Sequence, residues 1–312
     1  MIRFIVRRIV AAFFVMIAVT IITFLLLAAT GNQAARLAGK NATQQQIHQI
    51  AAQYGLDKPI YVQYVKTMKN IFTGKAYSYT QNINVLQEVK HDYPATLSLA
   101  FGAGIIWLGL SVLFGTLAAV YAGRTTDRVL TILSMAGVSF PPFFLGAIFL
   151  YFLGYKLGWF PLGGYVGLSD PWQWFKHLVL PWITLSILFI GFYSRVLRST
   201  ILDNTNEDYV RTAHAKGLTD GQVLRRHTLR NSMIPIISLW GLDMGQLLGG
   251  AAILTDSVFN LQGVGQLAAT AIANLDVITI MVIVILTAFA VVLLSAIVDI
   301  LYAVLDPRIR LA

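Results

Sequence analysis

Residues 9–29 form one unbroken apolar run, IVAAFFVMIAVTIITFLLLAA, with no charged side chain in it. A helix needs about 20 such residues to cross a hydrocarbon layer about 30 Å thick. Five more segments follow at 95–122, 129–155, 178–194, 233–254 and 278–304, each near or above that length. The segment at 178–194 is the shortest and is closed by Arg195. This pattern predicts an all-α membrane protein with six transmembrane helices. Composition agrees, because only 12% of the residues are charged, against about 25% in an ordinary soluble domain.

The opening MIRFIVRR puts arginines ahead of an apolar run, in the order of a secretory signal. The run is longer than the roughly 7–15 residues of a signal's apolar region, so it reads as a retained first span. The net charge of +9 is then first a matter of topology. Nucleic acid is disfavoured, since no basic stripe with interleaved aromatics occurs outside one block. With the N-terminus inside, Arg3, Arg7, Arg8, Arg124, Arg128, the basic residues from Arg195 to Arg230, Arg308 and Arg310 all share that side. The short outer connections carry only Lys156 and Lys176. Both termini are therefore expected in the cytoplasm. The chain divides into 1–29, an external loop 30–94, a membrane core 95–305 with an inner loop at 203–231, and a tail 306–312.

The outer loop is patterned. Ile47, Ile50, Ala51 and Tyr54 recur at helical spacing, Gly55 stops that helix, and Pro59 suits the first turn of a second. Residues 86–91 are expected to form another short amphipathic helix. The loop reads equally as a folded cap on the membrane surface and as a docking face for an external partner.

There is no cysteine, which excludes a disulfide framework, a thiol nucleophile and a Cys-based metal site. No G-x-x-x-x-G-K-[ST] loop occurs, so the chain cannot hydrolyse ATP in the P-loop manner. His48, His91, His177, His214 and His227 are scattered, and no metal site is expected from them. Nothing resembles an active site, and the chain is not expected to be an enzyme.

Three features remain. In the fifth span Gly241, Gly245 and Gly249 recur every four residues, a small-residue stripe that lets another helix approach closely. Asp243 and Gln246 lie on the other side. A carboxylate at this depth costs about 2.5–3.5 kcal/mol on insertion scales, so it faces protein or water. It either borders a substrate pathway or is satisfied by a neighbouring helix. In the third span Pro141 and Pro142 remove two backbone donors, which marks a gate or, more simply, a kink. The third feature is the basic block at 208–231, DYVRTAHAKGLTDGQVLRRHTLRN. Asp208 can cap a helix that Gly217 closes after about two turns. Thr219 and Gln222 have the spacing of a capping box for a second helix. Val210 and Ala213 give the first helix a small apolar face. It can meet anionic lipid through its arginines or insert as a knob into a soluble partner.

The run DYVRTAHAKGL at 208–218 resembles the EAA loop of ABC importer permeases, in particular those of the oligopeptide, dipeptide and nickel importers. The likeness extends to YGLDKP at 54–59 with Gln63 and Tyr64, PATL at 94–97, and RHTLRN at 226–231 with Pro235. VF at 258–259 with GVG at 263–265, and LDPR at 305–308, fit as well. Two departures stand out. Of the E-A-A triplet only Ala213 matches, with Arg211 and Thr212 in the other places, and TGNQ at 30–33 replaces the branch's frequent P-G-D-P.

The resemblance implies a type I ABC importer permease fold in the plasma (inner) membrane of a bacterium or archaeon. It implies one of two homologous permease subunits, assembled with two cytoplasmic ATPase subunits and an external substrate-binding protein or lipoprotein, among membrane lipid and without nucleic acid. ATP and magnesium belong to the partner ATPases, and no cofactor is expected on this chain. Tyr209, Val210, Arg211, Thr212, Ala213, His214, Ala215, Lys216 and Gly217 correspond to the coupling helix seated in an ATPase groove, with Ala213 small because it sits at that contact. Peptides are the favoured cargo, with nickel or another small solute as the alternative. A self-sufficient channel or secondary transporter predicts inverted repeats, and none is seen.

Overall fold

The computed structural model describes residues 2–39, 41–250 and 252–305. The expected tail at 306–312, with most of LDPR, lies outside the described residues. α1 (Ile2–Ala29) is followed by three short helices, α2 (Gln33–Ala38), α3 (Gln44–Tyr54) and α4 (Ile60–Phe72), and by the long α5 (Val85–Val120). α6 (Thr125–Ser139) and α7 (Pro142–Phe149) come next, and α7 runs on through a π-helical stretch, Leu150–Lys156. α8 (Pro171–Thr205), α9 (Asp208–Ala215) and α10 (Asp220–Val223) lead through a π turn, Leu224–Thr228, into α11 (Leu229–Leu248). α12 (Ile253–Phe259), α13 (Val264–Ala273) and α14 (Val277–Leu305) complete the described chain. Among the described residues every regular element is helical, apart from one isolated bridge between Tyr77 and Asn84.

Four helices are long and apolar enough to cross a membrane alone: α1 over Val10–Ala29, α5, α8, and α14 over Val277–Val298. Two further candidates are bent pairs, Thr125–Ser139 with Pro142–Lys156 at 95° and Asp220–Leu248 with Ile253–Phe259 at 55°. The simple kink expected at Pro141 and Pro142 is a break instead. Phe140 (ψ 127°) and Pro141 (ψ 134°) are both extended. Each precedes a proline, whose ring excludes the helical region at the residue before it. One proline bends a helix; two in a row push two successive residues out of it.

The helix expected at 86–91 is not separate either. It forms the first turns of α5, ten residues ahead of the apolar run that marked the second span. The Asn84 side chain accepts from the N–H groups of Leu86 (3.1 Å) and Gln87 (3.4 Å) and so starts the helix there. Pro94 costs α5 one backbone hydrogen bond without ending it.

α5 and α8 make the centre of the core. Trp107 and Tyr193 are wholly buried, and the Trp107 and Phe189 rings stack at 4.4 Å. Small residues let these helices close on each other. A Cβ on Gly115 of α5 would lie 2.8 Å from the Ser194 carbonyl oxygen and 2.9 Å from Leu197 Cβ, both on α8. Two indoles then donate to α5 carbonyls, Trp182 to Ser98 at 2.9 Å and Trp240 to Gly104 at 3.0 Å. The glycines of α11 face α14: Gly241 meets Val298, Gly245 meets Val291 and Gly249 meets Thr287. Thr287 Oγ1 donates to the Gly249 carbonyl at 2.7 Å, which ties the two backbones together.

The loop between α1 and α5 is folded onto the ends of α1 and α14. Thr43 and Gln46 form a capping box at the start of α3, and Gly55 ends it at φ 75°. Ile47, Ile50, Ala51 and Tyr54 are the half-buried face of α3, turned to the protein. Pro59 stands at the N-cap of α4, just before its first turn. Ile71, Val85 and Phe24 share a cluster with Val277, Ile278, Met281 and Val282 of α14. Asp276, just before α14, accepts from the hydroxyls of Ser78, Thr80 (3.2 Å) and Thr279 (2.7 Å). This carboxylate clips the loop to the start of α14.

Close approach at Gly245 is testable. A Cβ there would lie 2.7 Å from Val291 Cα, a backbone atom that cannot step aside, whereas nothing lies within 4 Å of one on Gly109. Gly245→Val is expected to lower the stability of the detergent-solubilised protein by about 1–3 kcal/mol through overpacking. Gly109→Ala leaves it unchanged or slightly raised in the same thermal unfolding measurement.

Candidate functional site

The basic block folds as a capped turn between two long helices. α9 has 8 residues, and Glu207 rather than Asp208 holds its N-cap position, with no capping bond from its side chain. The expected role of Asp208 as N-cap is thus corrected: it is the first helical residue, where its negative charge still favours the helix N-terminus. Gly217 has φ 83°, which only glycine adopts without strain. The Gly217 N–H donates to the His214 carbonyl at 2.9 Å and the Leu218 N–H to the Ala213 carbonyl at 3.3 Å. These are the two bonds of a Schellman cap. The Thr219 N–H then donates to Gln222 Oε1 at 3.2 Å and opens α10.

Val210, Ala213 and Val223 are buried against one another, with Tyr209 and Leu218 packed at the edge. Ala213 is therefore not small because it faces outward. It is 5% exposed and packs inside the chain's own turn, where a larger side chain would force α9 off α10. Of residues 209–217, Arg211, Thr212, His214, Ala215, Lys216 and Gly217 are exposed. Arg211 lies 3.7 Å from Asp208 and His214 lies 3.1 Å from Asp220, both on the surface.

The two long helices that flank the turn are tied to each other at its base. Asn204 near the end of α8 donates to Ser232 Oγ at 2.8 Å, and Ser232 in turn donates to the Thr228 carbonyl at 2.8 Å. The second helix of the block does not stop: α10, the π turn and α11 form one path into the fifth span. A second fastening had no sequence signal. Asp127 in the first turn of α6 accepts from Arg198 Nε at 2.6 Å and Nη2 at 2.7 Å, a bidentate pair with the carboxylate buried. The two lie far apart in sequence, on α6 and α8, so only the fold pairs them.

Inside the core, Tyr193 Oη donates to Asp243 Oδ2 at 2.5 Å. Tyr193 is wholly buried, Asp243 half-buried and Gln246 exposed. Pro141 and Pro142 lie at the α6–α7 break, and the structure does not bring them to the basic block. Among the described residues no group of three or more His, Asp or Glu is placed to hold a metal ion.

Residues 111–311 match the family profile of the binding-protein-dependent transport system inner membrane component, and residues 1–100 match that of the N-terminal region of such membrane components. The chain belongs to this family. It is an ABC importer permease and a multi-pass protein of the inner membrane. It is 37% identical over 310 residues to a probable peptide ABC transporter permease of Sinorhizobium fredii, covering 98% of this chain and 99% of that one. It is 35% identical to the probable D,D-dipeptide transport system permease DdpB of Escherichia coli, covering 89% and 88%. The oligopeptide transport system permease AppB of Bacillus subtilis is 33% identical, with 99% of each chain covered. A chain in the inward-facing structures of the MetNI methionine ABC transporter superposes with a TM-score of 0.54, covering 71% of this permease and 97% of that chain. At 15% identity that is a likeness of fold.

The Asp127–Arg198 pair can be broken one partner at a time. Arg198→Ala leaves a buried carboxylate without its cation and is expected to destabilise the permease by about 3–5 kcal/mol. Adding Asp127→Asn removes the orphaned charge and is expected to restore part of that loss, read by thermal unfolding of both variants.

Proposed function

We propose that this permease is one of two homologous membrane halves of an ATP-driven peptide importer. An external binding protein delivers the peptide, and two ATPase subunits holding ATP and magnesium drive alternating access. Six crossings with both termini on the ATPase side complete the reading. The observation that carries it is α9. A helix of 8 residues is unstable alone, yet this one has a cap at its C-terminus, a small core of its own and a tether from α8 to α11. A force applied to its exposed residues is passed to the spans instead of being lost in a flexible loop. Arg211, Thr212, His214, Ala215 and Lys216 form the face offered to an ATPase groove. The peptide cargo is supported by relatives described as peptide, dipeptide and oligopeptide permeases at 33–37% identity.

In this reading Asp243, held by Tyr193, borders the pathway and meets the ammonium of a peptide's free amino terminus, with Gln246 nearby. The break at Pro141 and Pro142 gives α7 freedom to move against α6 as a gate.

Two experiments test this. Thr212→Trp places bulk on the outer face of α9 and Ala213→Trp disrupts its inner packing. Both are expected to insert normally in the membrane, to lose ATP-driven uptake at least tenfold, and in the first case to release the ATPase subunits on purification. Normal uptake by both variants rejects the coupling role. Asp243→Asn is expected to weaken competition by peptides with free amino termini and to leave N-acetylated peptides unaffected. Competition by nickel but not by di-, tri- or longer peptides would move the cargo to the metal branch.

A further inference from the structure

α4 carries two apolar faces, and only one of them is explained by packing. On the inner face Thr67 and Ile71 are buried, and Tyr64 and Met68 pack on the cluster formed with α1 and α14. On the other face Tyr61 is 70% exposed, Val65 62% and Phe72 77%. Their spacing of four and then seven residues keeps all three on one helical stripe. A stripe of large apolar side chains on a loop helix asks for a cover.

The depth of α4 says what the cover is. Tyr64 Oη lies 2.8 Å from Thr20 Oγ1, and the Tyr64 ring meets Phe24 edge-on at 5.5 Å. Thr20 sits near the middle of the apolar span Val10–Ala29. Counting back from Ala29 at 1.5 Å per residue, it lies about 13 Å inside the end of the helix. Met68 and Ile71 share a cluster with Ile278, Met281 and Val282, within the first two turns of the span in α14. The middle of α4 is thus held beside two spans, below the level at which they leave the hydrocarbon. On α1, the face turned away from Thr20 and Phe24 is open and apolar: Ile22 is 56% exposed, Leu25 46% and Leu26 65%. It lies at the same level along α1 as the contacts with Tyr64. Lys69 is exposed on α4, and such a stem can lie along lipid with its ammonium group at the headgroups; the Lys66 ammonium instead donates to the Tyr54 carbonyl at 3.0 Å.

We infer that α4 is an interfacial helix set into the leaflet at which α1 ends, with Tyr61, Val65 and Phe72 against lipid acyl chains. The first loop is then partly a membrane element, and it anchors the end of α1 sideways in the bilayer. This does not rest on the cargo or on coupling to ATPases.

The chain has no cysteine, so single-cysteine variants can be spin-labelled without background. Val65→Cys and Phe72→Cys would be compared with Leu26→Cys on the open face of α1 and Gln45→Cys on the exposed side of α3. All are in the full chain, reconstituted with its co-purifying subunits in phosphatidylethanolamine–phosphatidylglycerol vesicles. Collision rates with oxygen, which partitions into lipid, and with a water-soluble nickel chelate place each label. At both α4 positions the oxygen-to-nickel ratio is expected to approach that of Leu26→Cys and to exceed that of Gln45→Cys several-fold. A ratio like that of Gln45→Cys puts the stripe in water and overturns the inference. Low collision with both reagents means a protein covers it, and overturns the inference equally. Tyr61→Cys, on the same stripe, substitutes if either variant fails to insert.

Discussion

Hydrocarbon supplies no hydrophobic force to press one helix on another, so these helices are held by close contact and by hydrogen bonds between them. Both devices meet where α11 lies on α14. Gly241, Gly245 and Gly249 remove the side chains that would hold the backbones apart, and Thr287 bonds across the gap to the Gly249 carbonyl. Across the core, α5 and α8 use the same logic at Gly115, and Trp182 of α8 and Trp240 of α11 donate to α5 carbonyls. Contacts of this kind hold over a small range of positions. The helices can move as bodies, but they cannot gradually separate.

The end of the molecule that carries α9 is built to exploit that stiffness. α8 ends and α11 begins at a turn whose parts are bonded to each other by Asn204, Ser232 and the cap at Gly217. Arg198 and Asp127 add the start of α6 to the same rigid group. Three helices therefore converge on one small surface, and α9 is its exposed corner. The arginines that make the block conspicuous contribute least to this. Arg225, Arg226 and Arg230 are exposed, whereas the work of shaping the turn falls to a glycine, an alanine and two short caps.

What was legible in the sequence was what depends on spacing along the chain. Apolar run length located the long helices, and glycine at 217 marked where α9 stops. A capping pair three residues apart marked where the next helix starts. What was illegible depends on partners distant in sequence or on two rules acting together. Nothing local couples Asp127 to Arg198, Tyr193 to Asp243, or Ser78 to Asp276. The proline pair read as a kink because each proline alone would give one. The start of α5 was hidden because its polar first turns rise clear of the apolar run. Ala213 was visible as a small residue, but a small side chain suits an outer contact and an inner one alike, and only burial tells them apart.

α14 is the element on which these separate features converge. One face receives the glycine stripe of α11 through Thr287, Val291 and Val298. Its first turns receive the outer loop through Val277, Ile278, Met281 and Val282, and Asp276 pins the Ser78–Thr80 segment just before them. A tilt of α11 cannot leave α14 behind, because the glycine contacts admit no intervening side chain and little sliding. α14 in turn cannot tilt without moving α4, which shares its cluster, and the end of α1. Under the proposed coupling, a displacement imposed on α9 therefore reaches the opposite side of the membrane through two tightly packed interfaces in series. The clip at Asp276 is what makes the outer loop part of that moving body.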